Sequence, residues 1–211
     1  MSVIGFLGAG RLAQMLALKA AKAGWDVILS NSRGPESLSD LVSGMDGNVT
    51  AASPADMVKA SDVVILAIRW PQIEAAVKDL DWNGKVVVDA TNNRLGPKPE
   101  DVIDIGNVLS SDIVAGYMPG ARLVKAFNHE PIPVYDQSLP PKDDAKVLFL
   151  AGSDNEANAL VEKLIKDLGG EPINLGPINT GGKLIAMGGP LTNKFKLFTV
   201  ADAKAAIARA Q

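Results

Sequence analysis

The chain contains no cysteine in 211 residues, which rules out disulfide staples, thiolate metal sites and a cysteine nucleophile together. Histidine is nearly absent too: His129 stands alone, and no metal site is expected. Lysine and arginine form no stripe and the net charge is −3, so the electrostatic footprint of a nucleic-acid or anionic-membrane partner is missing. No apolar run reaches the roughly 20 residues needed to cross a bilayer. Met1-Ser2 leads directly into "VIGFLGAG" without the basic start and long apolar stretch of a secretory signal, so a cytoplasmic location is expected. Redox chemistry in such a chain requires a bound cofactor, and the expected partners are small molecules.

What is present is an ordinary globular composition, 47% hydrophobic and 21% charged, of a length that suits one core. Apolar β-rich runs recur at Val3–Leu7, Val27–Leu29, Val63–Ile68, Val86–Val88, Leu123–Phe127 and Val147–Leu150, with helix-like stretches between most of them. The runs do not alternate with polar residues, so they read as strands covered on both faces. The expected fold is α/β, a Rossmann-type doubly wound, mostly parallel sheet. A single domain over 1–211 is expected, with a small C-terminal helical extension from about 179 that serves as a dimer or acceptor-site element.

The first helix is predicted over about residues 10 to 23, with Gly24 suited to its end. Ser53-Pro54 reads as an N-cap followed by proline in the first turn. After Ala126, "NHEPIPVYDQSLPPKDD" holds four prolines and is predicted as a loop without regular helix or sheet. A helix is predicted from Asp154 to Leu168, then a short strand in "GEPINLGP". The final stretch is predicted to be a helix with Phe198, Ala201, Ala205 and Ala208 along one side.

"VIGFLGAGRLAQ" places Gly8-Ala9-Gly10-Arg11-Leu12-Ala13 between the first strand and the first helix, the G-x-G-x-x-A form of a dinucleotide turn. Gly8 permits the tight turn, Gly10 leaves room for a pyrophosphate, and Ala13 keeps helix and sheet close. The helix-start amides then face the anion. About 20 residues on, where the NAD version carries an acid, this chain has Ser30-Asn31-Ser32-Arg33-Gly34. A carboxylate repels a 2′-phosphate, whereas a hydroxyl and a guanidinium bind it. NADP(H) is the cofactor this implies, with Asn31, Ser32 and Arg33 at its adenosine end. The competing reading of Arg33 is a solvated residue in a turn.

Several segments jointly resemble the NADPH-dependent deazaflavin (coenzyme F-420) reductases and the oxidoreductase domains of STEAP-type metalloreductases. They are "GFLGAGRLAQ", "SNSRGPESL", "VILAIRWPQIEAAV", "VVVDATNNR", "PGARLVKAFNHEP" and "LGPINTGGKLIAMGGPL". The resemblance implies a dimeric NADP-binding protein that passes hydride from NADPH to a flavin-like ring, with coenzyme F-420, FMN or FAD as acceptor. By position it puts the phosphate turn on Ala9, Gly10, Arg11 and Leu12, and the 2′-phosphate pair on Ser32 and Arg33. Ile68, Trp70, Gln72 and Asn92 fall around the ribose and nicotinamide, and "AFNHEPIP" at the ring-stacking site. The chain also departs from the pattern. Ser37 replaces a further basic residue of some deazaflavin reductases. Asn128 stands where they carry histidine, with His129 one place off. Asn with "VKAFN" is closer to the metalloreductase branch, although that branch's membrane helices and haem ligand partner are not expected in these 211 residues.

Single residues remain open between function and structure. Asn128 and His129 are the candidates for chemistry, although hydride passing between stacked rings needs placement more than an acid or base. The plainer reading of His129 is a surface or supporting side chain beside a proline turn. Trp70 suits either cofactor packing or a helix start, Asn92 points to function, and Asn93 to turn chemistry. The glycine pairs 181–182 and 188–189 allow close backbone approach or end a helix. An NADPH oxidoreductase is the first reading. A non-catalytic NADPH-binding sensor and an NADPH-dependent ferric or flavin reductase are the others.

Overall fold

Strands that are apolar on both faces need cover on both, and the chain supplies it with helices on each side of one sheet. The computed structural model describes residues 2–96, 98–139 and 146–210. The strands are β1 (Val3–Leu7), β2 (Asp26–Ser30), β3 (Val49–Ala51), β4 (Val63–Leu66), β5 (Val86–Asp89), β6 (Arg122–Ala126), β7 (Lys146–Gly152) and β8 (Gly170–Asn174). The helices are α1 (Arg11–Lys22), α2 (Ser39–Ser43), α3 (Pro54–Ala60), α4 (Ile73–Val77), α5 (Ser110–Gly116), α6 (Ile132–Ser138), α7 (Asn155–Asp167), α8 (Gly181–Ile185) and α9 (Val200–Ala210).

The eight strands run in the order β3-β2-β1-β4-β5-β6-β7-β8. All neighbouring pairs are parallel except β6 with β7. The order reverses between β1 and β4, and open sheets of this kind bind ligands at that reversal, beyond the strands' carboxyl ends. Alternation splits the core. Val63, Ile65, Val88, Val124 and Leu148 face one cluster that includes Ala13, Leu16 and Ala20 of α1, while Val64, Leu66, Val87 and Leu123 face another. The alanines on α1 let the helix lie close to the sheet, where a larger residue forces it away.

Three expectations need correction. The three-residue edge strand β3 is absent from the apolar runs because only Val49 and Ala51 are even partly buried. The proline-rich segment does contain a helix, α6. Pro131 is its N-cap and Pro133 lies in the first turn, where a missing N–H costs no helical hydrogen bond. Pro140, Pro141 and the rest of that segment to Asp144 lie outside the described residues. In the final stretch Phe198 does pack inward, beside Phe149, but the alanines of the expected stripe face outward on α9: Ala201, Ala205 and Ala208 are exposed. Ala203, Ala206 and Ile207 pack on Val147, Phe149 and Ala151 of β7 instead, because the approach of the helix to the sheet sets its rotation.

Candidate functional site

The register aligns the candidate residues. Ser30 pairs with Leu7, Leu7 with Leu66, Leu66 with Asp89, and Asp89 with Lys125. Everything just beyond that row therefore gathers on one edge of the sheet: Asn31–Arg33, Gly8, Ile68, Asn92 and Asn128.

Gly8 has φ +110°, and a Cβ there meets the Ala67 carbonyl oxygen at 2.5 Å, so only glycine fits. Gly10 is different. It caps α1 at φ −79°, an ordinary conformation, with no side-chain cap and nothing within 4 Å of a Cβ. Its glycine character leaves open space beside the first amides of a 12-residue helix, the requirement for a pyrophosphate. Gln14 braces the turn by donating to the Ala9 carbonyl at 2.8 Å. Arg11 is exposed at the helix mouth, whereas Leu12 packs partly against the core.

Beyond β2, Ser30 is buried and donates to the Phe6 carbonyl. Asn31 shapes the loop: its Oδ1 accepts from the Arg33 amide at 2.8 Å and its Nδ2 donates to the Ser37 hydroxyl at 2.9 Å. Ser37 also donates to the Gly34 carbonyl, so it braces the loop. Ser32 and Arg33 are exposed, and among the described residues neither side chain has a hydrogen-bond or ion-pair partner. Ile68 and Trp70 are half-buried against the second cluster, with Ile68 beside Gly8. Gln72 is exposed.

The far end is stitched together by asparagines. Phe127 is buried in a left-handed conformation, φ 58°, a strained geometry that costs about 1–3 kcal/mol and collects at functional sites. It delivers Asn128, whose Nδ2 donates to the Ile185 carbonyl at 2.6 Å and to Asn92 Oδ1 at 3.2 Å. Asn92 in turn donates to the Asn128 carbonyl at 2.9 Å. Asn128 Oδ1 is buried without a partner among the described residues, which native structures rarely leave so. Asn93 instead donates to the Ile103 carbonyl. Next to it a cleft of about 600 Å³ opens between residues 102–110 and 186–189, with Lys183 on its wall.

His129 is not at the surface. Its ring is 2% exposed, edge-on to Tyr135 and Phe149, and neither nitrogen has a partner among the described residues. Burial lowers its pKa to about 3, so it is neutral at physiological pH. Glu130 turns to the C-terminal segment and accepts from the amides of Lys194 and Phe195, both at 2.7 Å. Burial raises its pKa, opposed by those two amides.

Lys125 is a further buried polar residue at this edge that no sequence motif marks. Its Nζ is fully buried, 2.9 Å from Asp89 Oδ2 and 2.7 Å from the Thr91 carbonyl. Thr91 and Ser111 donate to the same carboxylate. Burial alone raises the Asp89 pKa, but Lys125 and the Thr91 donors overcome it and hold the carboxyl below its usual range. The one available signal was a lysine inside the apolar run "RLVKAF".

A glycine turn before an open helix mouth, at the strand-order reversal of a parallel sheet, defines a Rossmann-type dinucleotide-binding protein. The family described as "NADP oxidoreductase coenzyme F420-dependent" matches residues 3–93. A solved hypothetical protein from Sinorhizobium meliloti is 37% identical, with a TM-score of 0.84 over 94% of this chain and 96% of that one. A candidate F420-dependent NADP-reductase from Arthrobacter sp. FB24 is 25% identical, with a TM-score of 0.71 over 83% of this chain and 85% of that one. Human metalloreductase STEAP2 is 22% identical over 86% of this chain but only 34% of its own length; the chain spans about a third of the curated relatives it matches. Residues 3–93 of the chain thus match this NADP-dependent oxidoreductase family, and reductases are among the proteins the chain resembles. Among the described residues, no helix is long and apolar enough to cross a membrane.

Proposed function

We propose that the protein transfers hydride between NADPH and a deazaflavin or flavin-type ring, holding the two rings face to face at the carboxyl ends of β4, β5 and β6. The observation that carries this reading is the uncapped start of α1 behind the open face of Gly10. Ala9, Gly10, Arg11 and Leu12 surround the pyrophosphate there, and Gly8 makes the turn. Ser32 and Arg33 take the 2′-phosphate on a loop that Asn31 shapes. Ile68, Trp70 and Gln72 flank the ribose, and Asn92 and Asn128 hold the nicotinamide end.

When bound, the nicotinamide ring supplies the hydride and its acceptor the electron sink. The chain's own work is to orient, desolvate and exclude water. A neutral, buried His129 without acid–base partners among the described residues fits that division. Its ring packs edge-on against Tyr135 and Phe149, next to Asn128 in the chain, and takes no part in proton transfer. The 600 Å³ cleft beside Asn93 is large enough for a tricyclic ring system, and we assign the acceptor to it.

The test mixes purified protein and NADPH with a panel of coenzyme F-420, FMN, FAD, riboflavin and ferric chelates, following NADPH absorbance. Turnover with a ring acceptor supports the reading. Oxidation by ferric chelates alone points to a metalloreductase, and tight NADPH binding without oxidation of any acceptor overturns catalysis.

A further inference from the structure

The apolar order of the sheet breaks at one place. Val87 and Leu123 are registered neighbours on the α5-facing side of β5 and β6, and both are buried in the second cluster. Two residues further along the same face, the registered pair is Asp89 and Lys125, 0% and 1% exposed at their side chains. Apolar residues of similar volume at such a position hold a fold together as well or better, since a buried ion pair gives up most of its attraction to lost hydration. A buried pair of this kind is weak evidence of a stabilising purpose.

Its connections suggest another purpose. Lys125 Nζ holds the Thr91 carbonyl at 2.7 Å. Asp89 Oδ1 accepts from both the amide and the hydroxyl of Thr91, at 3.0 and 2.6 Å. Ser111 at the start of α5 fixes the other carboxylate oxygen at 2.9 Å. Four hydrogen bonds from two strands and a helix thus lock the first turn of the loop after β5. The next residue is Asn92, which interlocks with Asn128 at the end of β6.

We propose that Lys125 and Asp89 are positioning residues: a buried charged clasp that fixes Thr91 so that Asn92 and Asn128 meet the nicotinamide half of the cofactor in register. This rests on the assignment of Asn92 and Asn128 to that half. The clasp touches neither ligand. Its effect is to remove slack between two strands whose loops share one ligand, where small displacements weaken orientation strongly.

The decisive variant is the double replacement Asp89→Leu/Lys125→Met, which leaves no unpaired charge. Two probes are titrated: NADPH, which reaches both halves of the site, and 2′,5′-ADP, which reaches only the adenosine half. The clasp predicts that 2′,5′-ADP binds within about twofold of the original protein while NADPH weakens about tenfold, the loss of one or two well-aligned hydrogen bonds. Equal retention of both probes overturns the proposal, as does a parallel loss of both. Thr91→Val, which removes only the hydroxyl from the clasp, is read by the same pair of titrations; it predicts a smaller selective loss and keeps the test open if the double variant does not fold. Failure of the unaltered protein to bind either probe counts against the cofactor assignment, whereas binding of both with no selective loss in the variants counts against the clasp.

Discussion

Replacing Gly10 with valine separates the cofactor site from the fold more cleanly than any other single change. At φ −79° and ψ −176° the backbone suits valine, and no atom lies within 4 Å of the new Cβ. The cost to folding is limited to a poorer N-cap, about 1 kcal/mol or less, and a loss of roughly 2–4 °C in Tm. The isopropyl group occupies the approach to the helix-start amides. Losing one or two charge-assisted hydrogen bonds at about 1.5–3 kcal/mol each weakens binding by at least tenfold, with about 100-fold expected. Gly8→Ala makes the contrast. It places a Cβ 2.5 Å from the Ala67 carbonyl oxygen at φ +110°, so backbone strain and overpacking together cost about 2–5 kcal/mol and the fold itself suffers. NADPH fluorescence titration beside thermal unfolding reads both variants. A Gly10→Val protein that binds NADPH as tightly as the original refutes the placement of the pyrophosphate at α1.

Arg33→Ala weakens NADPH by about one to two orders of magnitude and leaves NADH nearly unchanged, because only the 2′-phosphate loses a charged partner; an equal effect on both cofactors in parallel titrations contradicts the assignment. His129 has a folded pKa near 3 against an unfolded value near 6.5, so the unfolded chain binds the extra proton between those values. Its contribution to stability is therefore complete above about pH 6.5 and is lost as the pH falls toward 3, with a slope of up to about 1.4 kcal/mol per pH unit. His129→Phe removes that component, and Tm measured from pH 7 to 4.5 falls less steeply in the variant. Glu130→Gln keeps one acceptor of two and leaves one amide of Lys194 or Phe195 without its partner. It destabilises by about 1–3 kcal/mol, and hydrogen exchange accelerates first at residues 193–196.

Much of the fold was readable because its signals are local. An apolar run bounded by turns, a glycine pattern at a strand end and a Ser-Pro helix start act within a few residues of themselves. Each appears in the structure as β1, the Gly8–Gly10 turn and α3, whose Ser53 accepts from the Asp56 amide. The missing acid after β2 was legible for the same reason: it is a property of the loop's own residues, and Ser32 and Arg33 stand exposed there.

The features that escaped depend on partners distant in sequence. β3 is too short to show a pattern and exists through its pairing with β2. The α6 helix lies in a segment whose prolines suggested none, and their place in the first turn decided the outcome. Lys125 reads as a charged intruder in a strand until Asp89, 36 residues earlier, is set beside it by the register of two parallel strands. His129 reads as a surface or supporting side chain until Tyr135 and Phe149 enclose it. The sequence by itself determined the class of fold, the glycine turn and the charge carried by the loop after β2, since short-range backbone geometry and residue chemistry settle those. Only the tertiary structure decided which polar groups lose water and which find partners, because burial and hydrogen bonding are properties of segments brought together by the whole chain.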